Sequence, residues 1–419
     1  MEKVLRLTIF VLAVSLSVNA YSTLNNMLVS GELRTRVYYQ ENLTDPNGPA
    51  DDDFGRIEQR IRLTHNAELT DGVYVVLTGE ATGLWGSQEN GFSSESADGT
   101  GDIPEGYVNF QDIRASDWSA KVGRQHMNFG RGFLISDNEK EVSYDAIRVT
   151  GEFPTWTVNL AAAMLQEAQT LGSIRNSAAV NDTDWGLFVL DVGWRDENIL
   201  PLGLGAYVIY ASDEKSKNRE PLVFGARADY TGETWGLWGE VAYETGDWGK
   251  QNLDAIAVDV GASLSLATTW SPKLKVAYTY ASGDSEPYSG DYGSFEPLGQ
   301  YRYYGHALSP RMSNIHIFNF SASVQPNDLW NLAIDYYHYM QDEKVAGLVG
   351  NPLLTDPGIM RLTTGLDDNI GDEVDVSATY EYTDDVKAQI LLAYFMPGDA
   401  YGADDDDALE IRGEILVSF

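Results

Sequence analysis

The side chains best suited to chemistry in this chain are cations spaced two residues apart. Leu33, Thr35 and Val37 alternate with Glu32, Arg34 and Arg36. Further on, Ile57, Ile61, Leu63 and Ala67 alternate with Arg56, Glu58, Arg60, Arg62 and Glu68. A spacing of two puts these charges on one face of an extended strand. Arg148 stands between Ile147 and Val149, and Lys121, Lys275 and Arg227 with Asp229 share the charged parity in later segments. Arginine keeps its charge when confined, so Arg34, Arg36, Arg56, Arg60 and Arg62 together would attract an anion or the carboxylate end of a zwitterion. Glu240, Glu244, Asp259, Asp335, Glu373, Asp375, Glu381, Glu410 and Glu414 have the same inward parity and make an opposed acidic wall. Either the two walls pair and keep an interior wet and rigid, or they set a transverse field that orients polar solutes.

Catalysis finds little support in these residues. The chain has 0 Cys, so it has no thiol nucleophile, disulfide or iron–sulfur site. His65, His126, His306, His316 and His338 fall in no HExxH pattern, and no GxSxG or phosphate loop occurs. His126 or His306 could sit at a rim beside an acid, as in barrel proteases. His316 shares parity with Phe318 and Phe320, but no Ser follows two residues on, as a barrel lipase would need. The expectation is no enzyme. With 28 Lys and Arg against 63 Asp and Glu, a net charge of −35, nucleic acid is excluded as a partner.

The elements that carry these residues are nearly all of one kind. Lys3 and Arg6 precede a mostly apolar run over Leu5–Val18, and Val18-Asn19-Ala20 closes it with a small-x-small site. That pattern is a secretory signal peptide over residues 1–20, leaving 21–419 as the exported domain. Thereafter period two rules. In Leu409–Phe419, Leu409, Ile411, Ile415, Val417 and Phe419 share one parity and Glu410, Arg412, Glu414 and Ser418 the other. The spacing predicts about eighteen strands (sixteen is possible), near 27–39, 55–68, 73–83, 104–115, 117–126, 143–152, 155–166, 184–196, 201–212, 221–231, 234–245, 253–265, 272–283, 313–325, 328–340, 371–383, 385–396 and 407–419. Short turns alternate with long loops, and aromatics gather near strand ends: Tyr38, Tyr39, Trp85, Trp118, Phe153, Trp156, Trp194, Tyr210, Tyr230, Trp235, Trp270, Trp330, Tyr336 and Tyr394. Rings at headgroup level, short turns on one side and long loops on the other describe an all-β transmembrane antiparallel barrel. Low hydropathy follows, because each lipid-facing residue is averaged with a water-facing one.

One segment carries a resemblance. Lys121–Val149 reads KVGRQHMNFGRGFLISDNEKEVSYDAIRV. A strand ending Val-Gly-Arg-Gln, a Gly-rich loop, and Tyr-Asp-Ala-Ile-Arg opening the next strand resemble the alginate-export family of outer-membrane barrels. The resemblance implies about eighteen strands and an electropositive tunnel, and maps Arg124 and Arg148 to a selectivity constriction. Parity places Arg148 inward. It places Arg124 toward lipid, unless Gly123 carries a bulge.

These observations predict a passive, porin-like channel in the bacterial outer membrane for small hydrophilic solutes, anionic ones or sugar acids included. Its expected pore-lining residues are Arg34, Arg36, Arg56, Glu58, Arg60, Arg62, Arg124, Arg148, Arg227, Asp229, Glu240, Asp259, Lys275 and Asp335. The alternative is a plugged barrel serving as a structural or adhesion protein. Loops 285–312 and 341–370 are long enough to fold inward, and Tyr301–Tyr304 with His306 could contact a sugar. No cofactor is expected. Asp51–Asp53, Asp404–Asp407 and the acids of loop 285–312 are solvated loops, or could take Ca2+ and bridge to lipopolysaccharide phosphates. Phe419, a terminal aromatic on an alternating strand, is the expected handle for the barrel assembly machinery.

Overall fold

The computed structural model describes residues 26–43, 53–85, 99–137, 142–166, 185–196, 198–213, 219–286, 290–299, 304–344, 367–401 and 406–419. The expected signal peptide, Asp51-Asp52, Asp404-Asp405, Tyr301–Tyr303 and most of loop 341–370 lie outside these residues. The chain runs through β1 (Asn26–Glu41), β2 (Phe54–Thr70), β3 (Val73–Leu84), β4 (Gly99–Phe110), β5 (Trp118–His126), β6 (Ser143–Glu152), β7 (Trp156–Gln166), β8 (Trp185–Asp196) and β9 (Leu200–Asp213). It continues through β10 (Arg219–Thr231), β11 (Trp235–Trp248), β12 (Gln251–Ser265), β13 (Lys273–Ala281), β14 (Ile315–Asn327), β15 (Trp330–Met340), β16 (Asn369–Thr383), β17 (Val386–Pro397) and β18 (Ala408–Ser418). Each strand pairs antiparallel with its sequence neighbours, and β1 also pairs with β18. The sheet is a closed 18-stranded barrel.

The alternation read in the sequence becomes two faces. Met27 is 57% exposed, Ile390 64% and Ile415 55%, each on the outward parity of its strand. Water would not tolerate a continuous belt of such residues, whereas lipid is its proper solvent. Closure follows from the same environment. A backbone amide facing hydrocarbon must be paired, so a spanning sheet can have no open edge. Trp85, Trp156, Trp235, Trp270 and Trp330 are exposed at strand ends or in turns, at headgroup level. Tyr38 is a correction to that set. It points inward, buried, with the Arg56 guanidinium 4.6 Å from its ring centroid.

Another correction concerns the fourth strand. It starts and ends about five residues earlier than the spacing suggests, so the turn after it spans 111–117 rather than Ser116 alone. Asp112, Arg114 and Ala115 take left-handed backbone there, which breaks the ladder. A register shift between Thr78 and Glu80 gives β4 one extra residue against β3 and masks its period.

The seam is drawn tight at its lower end by the chain terminus. The Gly31 N–H donates to the Phe419 carbonyl (2.7 Å) and the Phe419 N–H to the Gly31 carbonyl (3.0 Å). The Phe419 ring lies directly over Gly31, in space that any Cβ would occupy. Gly31→Val is therefore expected to expel the ring and cost about 1–3 kcal/mol by overpacking. On unheated gels its compact, heat-modifiable band should be lost at a lower temperature than that of wild type. Gly413→Ala, where an added Cβ meets nothing, should leave that temperature unchanged.

Candidate functional site

The lumen is narrowed by two loops that fold inward, and the inner wall is built to receive them. Ala146, Ala161, Ala163, Ala211, Ala242, Ala255, Ala257 and Ala281 are buried on the inner face of β6–β13. These small residues leave room for Met127, Phe129, Phe133, Leu134 and Ile135 of the loop after β5. They also admit Phe295, Leu298, Leu308 and Met312 of the loop after β13. Together they form the buried core.

Carboxylates of the wall hold these loops by their backbones. Glu240 accepts from the Arg131 N–H (2.6 Å) and the Tyr207 hydroxyl (2.7 Å). Asp259 accepts from Arg131 Nε (3.0 Å), Trp238 Nε1 (3.0 Å) and Thr279 Oγ1 (2.8 Å), and the Arg131 guanidinium lies 4.9 Å from the Trp238 ring centroid. Glu244, fully buried, accepts from the Glu296 N–H (2.9 Å). Glu296 in turn pairs with Arg311 and accepts from the Tyr292 hydroxyl (2.6 Å). Burial, then the neighbouring Glu296 carboxylate, pushes the Tyr292 phenol up, so it stays a donor. Glu373 takes three consecutive amides, from His306 (2.6 Å), Ala307 (2.7 Å) and Leu308 (3.0 Å), and the Tyr339 hydroxyl (3.1 Å). The loops meet where the Gly299 N–H donates to the Leu134 carbonyl (2.9 Å).

This corrects the picture of a free acidic wall. Glu240 and Asp259 point into the barrel, yet their oxygens serve the loops. Nor do the acids all stand opposite the arginines. Glu410 and Glu414 are on β18, hydrogen-bonded beside β1. Arg36 pairs with Glu414, and Gln40 donates to Glu410 (2.8 Å).

The cations sort into paired and unpaired. Arg56 meets Glu58 at 2.6 Å. Arg60 binds Glu32 through Nε (2.9 Å), and Arg62 binds Glu80 (2.6 Å). Arg227 pairs with Asp191, Asp229 with Arg195, and Lys275 stands 3.9 Å from Asp335. Arg34 faces Arg60 on β2 and Leu416 on β18, and has no carboxylate partner among the described residues. Arg148 is held by the Asn159 side-chain oxygen (3.2 and 2.7 Å) and lies 5.5 Å from the Phe129 ring centroid. Lys121 lies 4.8 Å from the Tyr107 ring centroid. Arg412 shares a cleft of about 340 Å3 with Arg34 and Arg36. It was legible by parity but absent from the expected set. On the short-turn side a second cavity of about 700 Å3 lies against β7–β10, lined in part by Asp191, Arg195, Arg227 and Asp229.

Arg124 is the site residue that leaves the lumen. It pairs opposite Gly106 and Asp145, with no register break in either ladder. Its side chain lines a depression with Ile61, Leu63, Leu77 and Ile103 on the outer face. Gly123 does take a positive φ of 127°, and a Cβ there would collide with the Gly106 carbonyl, but the ladder continues through it.

A closed barrel with an apolar belt, a charged lumen and inward loops defines a porin-like channel of the outer membrane. The sequence model for alginate export matches residues 28–414, and the chain belongs to that family. No curated protein matches it. Among solved structures it is similar to the outer membrane protein opdK from Pseudomonas aeruginosa, at 13% identity and TM-score 0.60 over 95% of this chain and 100% of that one. It is also similar to Acinetobacter baumannii OccAB1, at 13% identity and TM-score 0.61 over 96% and 98%. P. aeruginosa OccK2 (OpdF) in complex with glucuronate matches at 12% identity and TM-score 0.61 over 95% and 99%. At these identities the likeness is one of fold.

The carboxylate clamps make a direct prediction. Glu373→Gln replaces an acceptor of three amides with a group that has one acceptor oxygen and a repelling NH2. Charge-assisted bonds of this kind contribute roughly 1.5–3 kcal/mol each. The variant should keep its heat-modifiable barrel while its single-channel current becomes larger and noisier as the loop loosens.

Proposed function

We propose that this channel passes small hydrophilic solutes bearing a carboxylate, sugar acids among them, by diffusion. The observation that carries the reading is the imbalance of unpaired charge along the lumen. Among the described residues, Arg34, Arg148, Arg412 and Lys121 face it without an ion-paired carboxylate, while most acids named above are committed to a loop or an arginine. Fixed, unneutralised cations in a narrowed pore lower the barrier for an anion. The paired residues Arg36, Arg56, Glu58, Arg60, Arg62, Arg227, Asp229, Lys275 and Asp335 then serve as a polar, rigid lining. Fold neighbours support the reading: OpdK has a structure with vanillate and OccK2 one with glucuronate, both carboxylates. Removal of residues 1–20 on export, engagement of the assembly machinery through Phe419, and lipopolysaccharide contact at the outer rim complete the proposal.

A plugged barrel is the second reading, favoured by the contact between the two inward loops. Planar-bilayer recording separates them. The channel reading expects discrete conductance steps from purified, heat-modifiable protein, and a silent barrel would establish the plug. Arg34→Ala with Arg148→Ala should at least halve the chloride-to-potassium permeability ratio. An unchanged reversal potential would remove these arginines from the mechanism.

A further inference from the structure

The inward loop after β13 is clamped at two points, and at each point a second buried acid stands beside the clamp. At the first, Glu373 takes the amides of His306, Ala307 and Leu308 and the Tyr339 hydroxyl. The fit is close, since a Cβ at Gly305 would collide with both that hydroxyl and the Glu373 carboxylate. Asp375, two residues along β16 and on the same face, sits against the Glu373 carboxyl. It is 3% exposed, and neither of its oxygens has a hydrogen-bond partner. From β15 it faces Asp335, directly opposite in the ladder, and Tyr339, and from β17 it faces Ala393. From the loop it faces His306, whose amide donates to Glu373 instead. Lys275 stands by Asp335, and Arg34 and Arg412 line the cleft beyond Gln389 and Leu391 of β17.

The second point repeats the arrangement. Glu244 on β11 is 0% exposed; one oxygen accepts from the Glu296 N–H (2.9 Å) and the other has no partner. The Glu296 carboxylate lies beside it, already paired with Arg311 and accepting from the Tyr292 hydroxyl. The ladder neighbours of Glu244 are Val223 and Ala255, and the nearby Tyr207 hydroxyl donates to Glu240.

Two adjacent carboxylates removed from water cannot both carry charge unless each has donors. With the loop shut, the charge belongs to Glu373, which has its amides, and to Glu296, which has its guanidinium. Asp375 and Glu244 then hold protons. A freed loop admits water, and both acids ionise as ordinary carboxylates do. Freeing the loop therefore releases protons, and a rise in pH favours it.

We propose that Asp375 and Glu244 make this loop a pH-sensitive gate, shut while both are uncharged and released toward alkaline pH as they ionise against Glu373 and Glu296. The gate does not depend on which solute passes.

Trypsin cleavage after Arg311 of the folded, heat-modifiable protein tests it, alongside single-channel current. Both are read at about pH 7.5 and about pH 9, an interval in which ordinary carboxylates stay ionised and ordinary imidazoles stay neutral. The reference is the double variant Asp375→Asn with Glu244→Gln, whose amides mimic the uncharged acids; comparison at one pH cancels the protease's own pH dependence. Wild type should be cleaved at the reference rate at the lower pH and several-fold faster than the reference at the higher. Its current should grow larger and noisier over the same step, while that of the double variant stays constant. Each single variant should fall between the two. If wild type and the double variant are cleaved alike at both pH values, the acids are structural and the inference is overturned. A barrel that conducts at neither pH removes the channel reading, and the cleavage comparison still decides the gate.

Discussion

A strand that crosses a bilayer cannot leave backbone amides unpaired, and β1 is where that requirement is met or lost. It pairs with β2 from Asn26 to Gln40 on one side and with β18 from Glu32 to Glu41 on the other. The two partners are separated by almost the full length of the chain, so closure is the longest-range contact of the fold. Phe419 extends the β18 side by one residue and covers Gly31. Once the seam is shut, every strand has a lipid face and a lumen face, and the identity of each alternate residue is dictated by which solvent it meets. The barrel needs no disulfide because it has no edge to protect.

Inside that frame, position along the wall decides what a carboxylate does. Glu32, Glu80 and Glu414 sit within one strand of an arginine and neutralise it. Glu240, Glu244, Asp259 and Glu373 lie where loop residues fold over the wall, and their hydrogen bonds go to those loops and to nearby wall side chains. A buried carboxylate there is stabilised mostly by loop amides, and at Asp259 by the Arg131 guanidinium, and the loop is fixed by the same bonds. The acid needs donors, and the loop's amides, removed from water, need acceptors. Each requirement satisfies the other, and the lumen is narrowed by these bonds and by the packing beneath them.

Strand number, parity and the seam were legible in the sequence because lipid and water impose a period of two that no other environment reproduces over eighteen segments. The inward loops were not, because they are aperiodic and their destination depends on three-dimensional complementarity. A signal was present in Ala242, Ala255, Ala257 and Ala281, which hold inward positions where a wet lumen would carry polar groups. Small apolar residues on a charged face imply that something large packs on them. Arg124 shows the converse. Its motif pointed to the constriction and its parity to lipid, and the ladder sided with parity. Pairing among charges was also hidden, since Arg34 and Arg36 are equivalent by spacing. They differ because the neighbouring strands place Leu416 and Arg60 opposite one and Glu414 and Glu58 opposite the other.

That last difference changes what the net charge of −35 means. A sum over the chain suggests a lumen hostile to anions, but the field felt by a solute comes from charges that are close and unneutralised. Acids bound to loop amides or held against arginines present little of their charge to the path. An arginine set between a leucine and another arginine, as Arg34 is, presents more of it. On the proposed reading, selectivity is a property of a few positions where pairing fails, and those positions are chosen by strand register, the same quantity that closes the sheet.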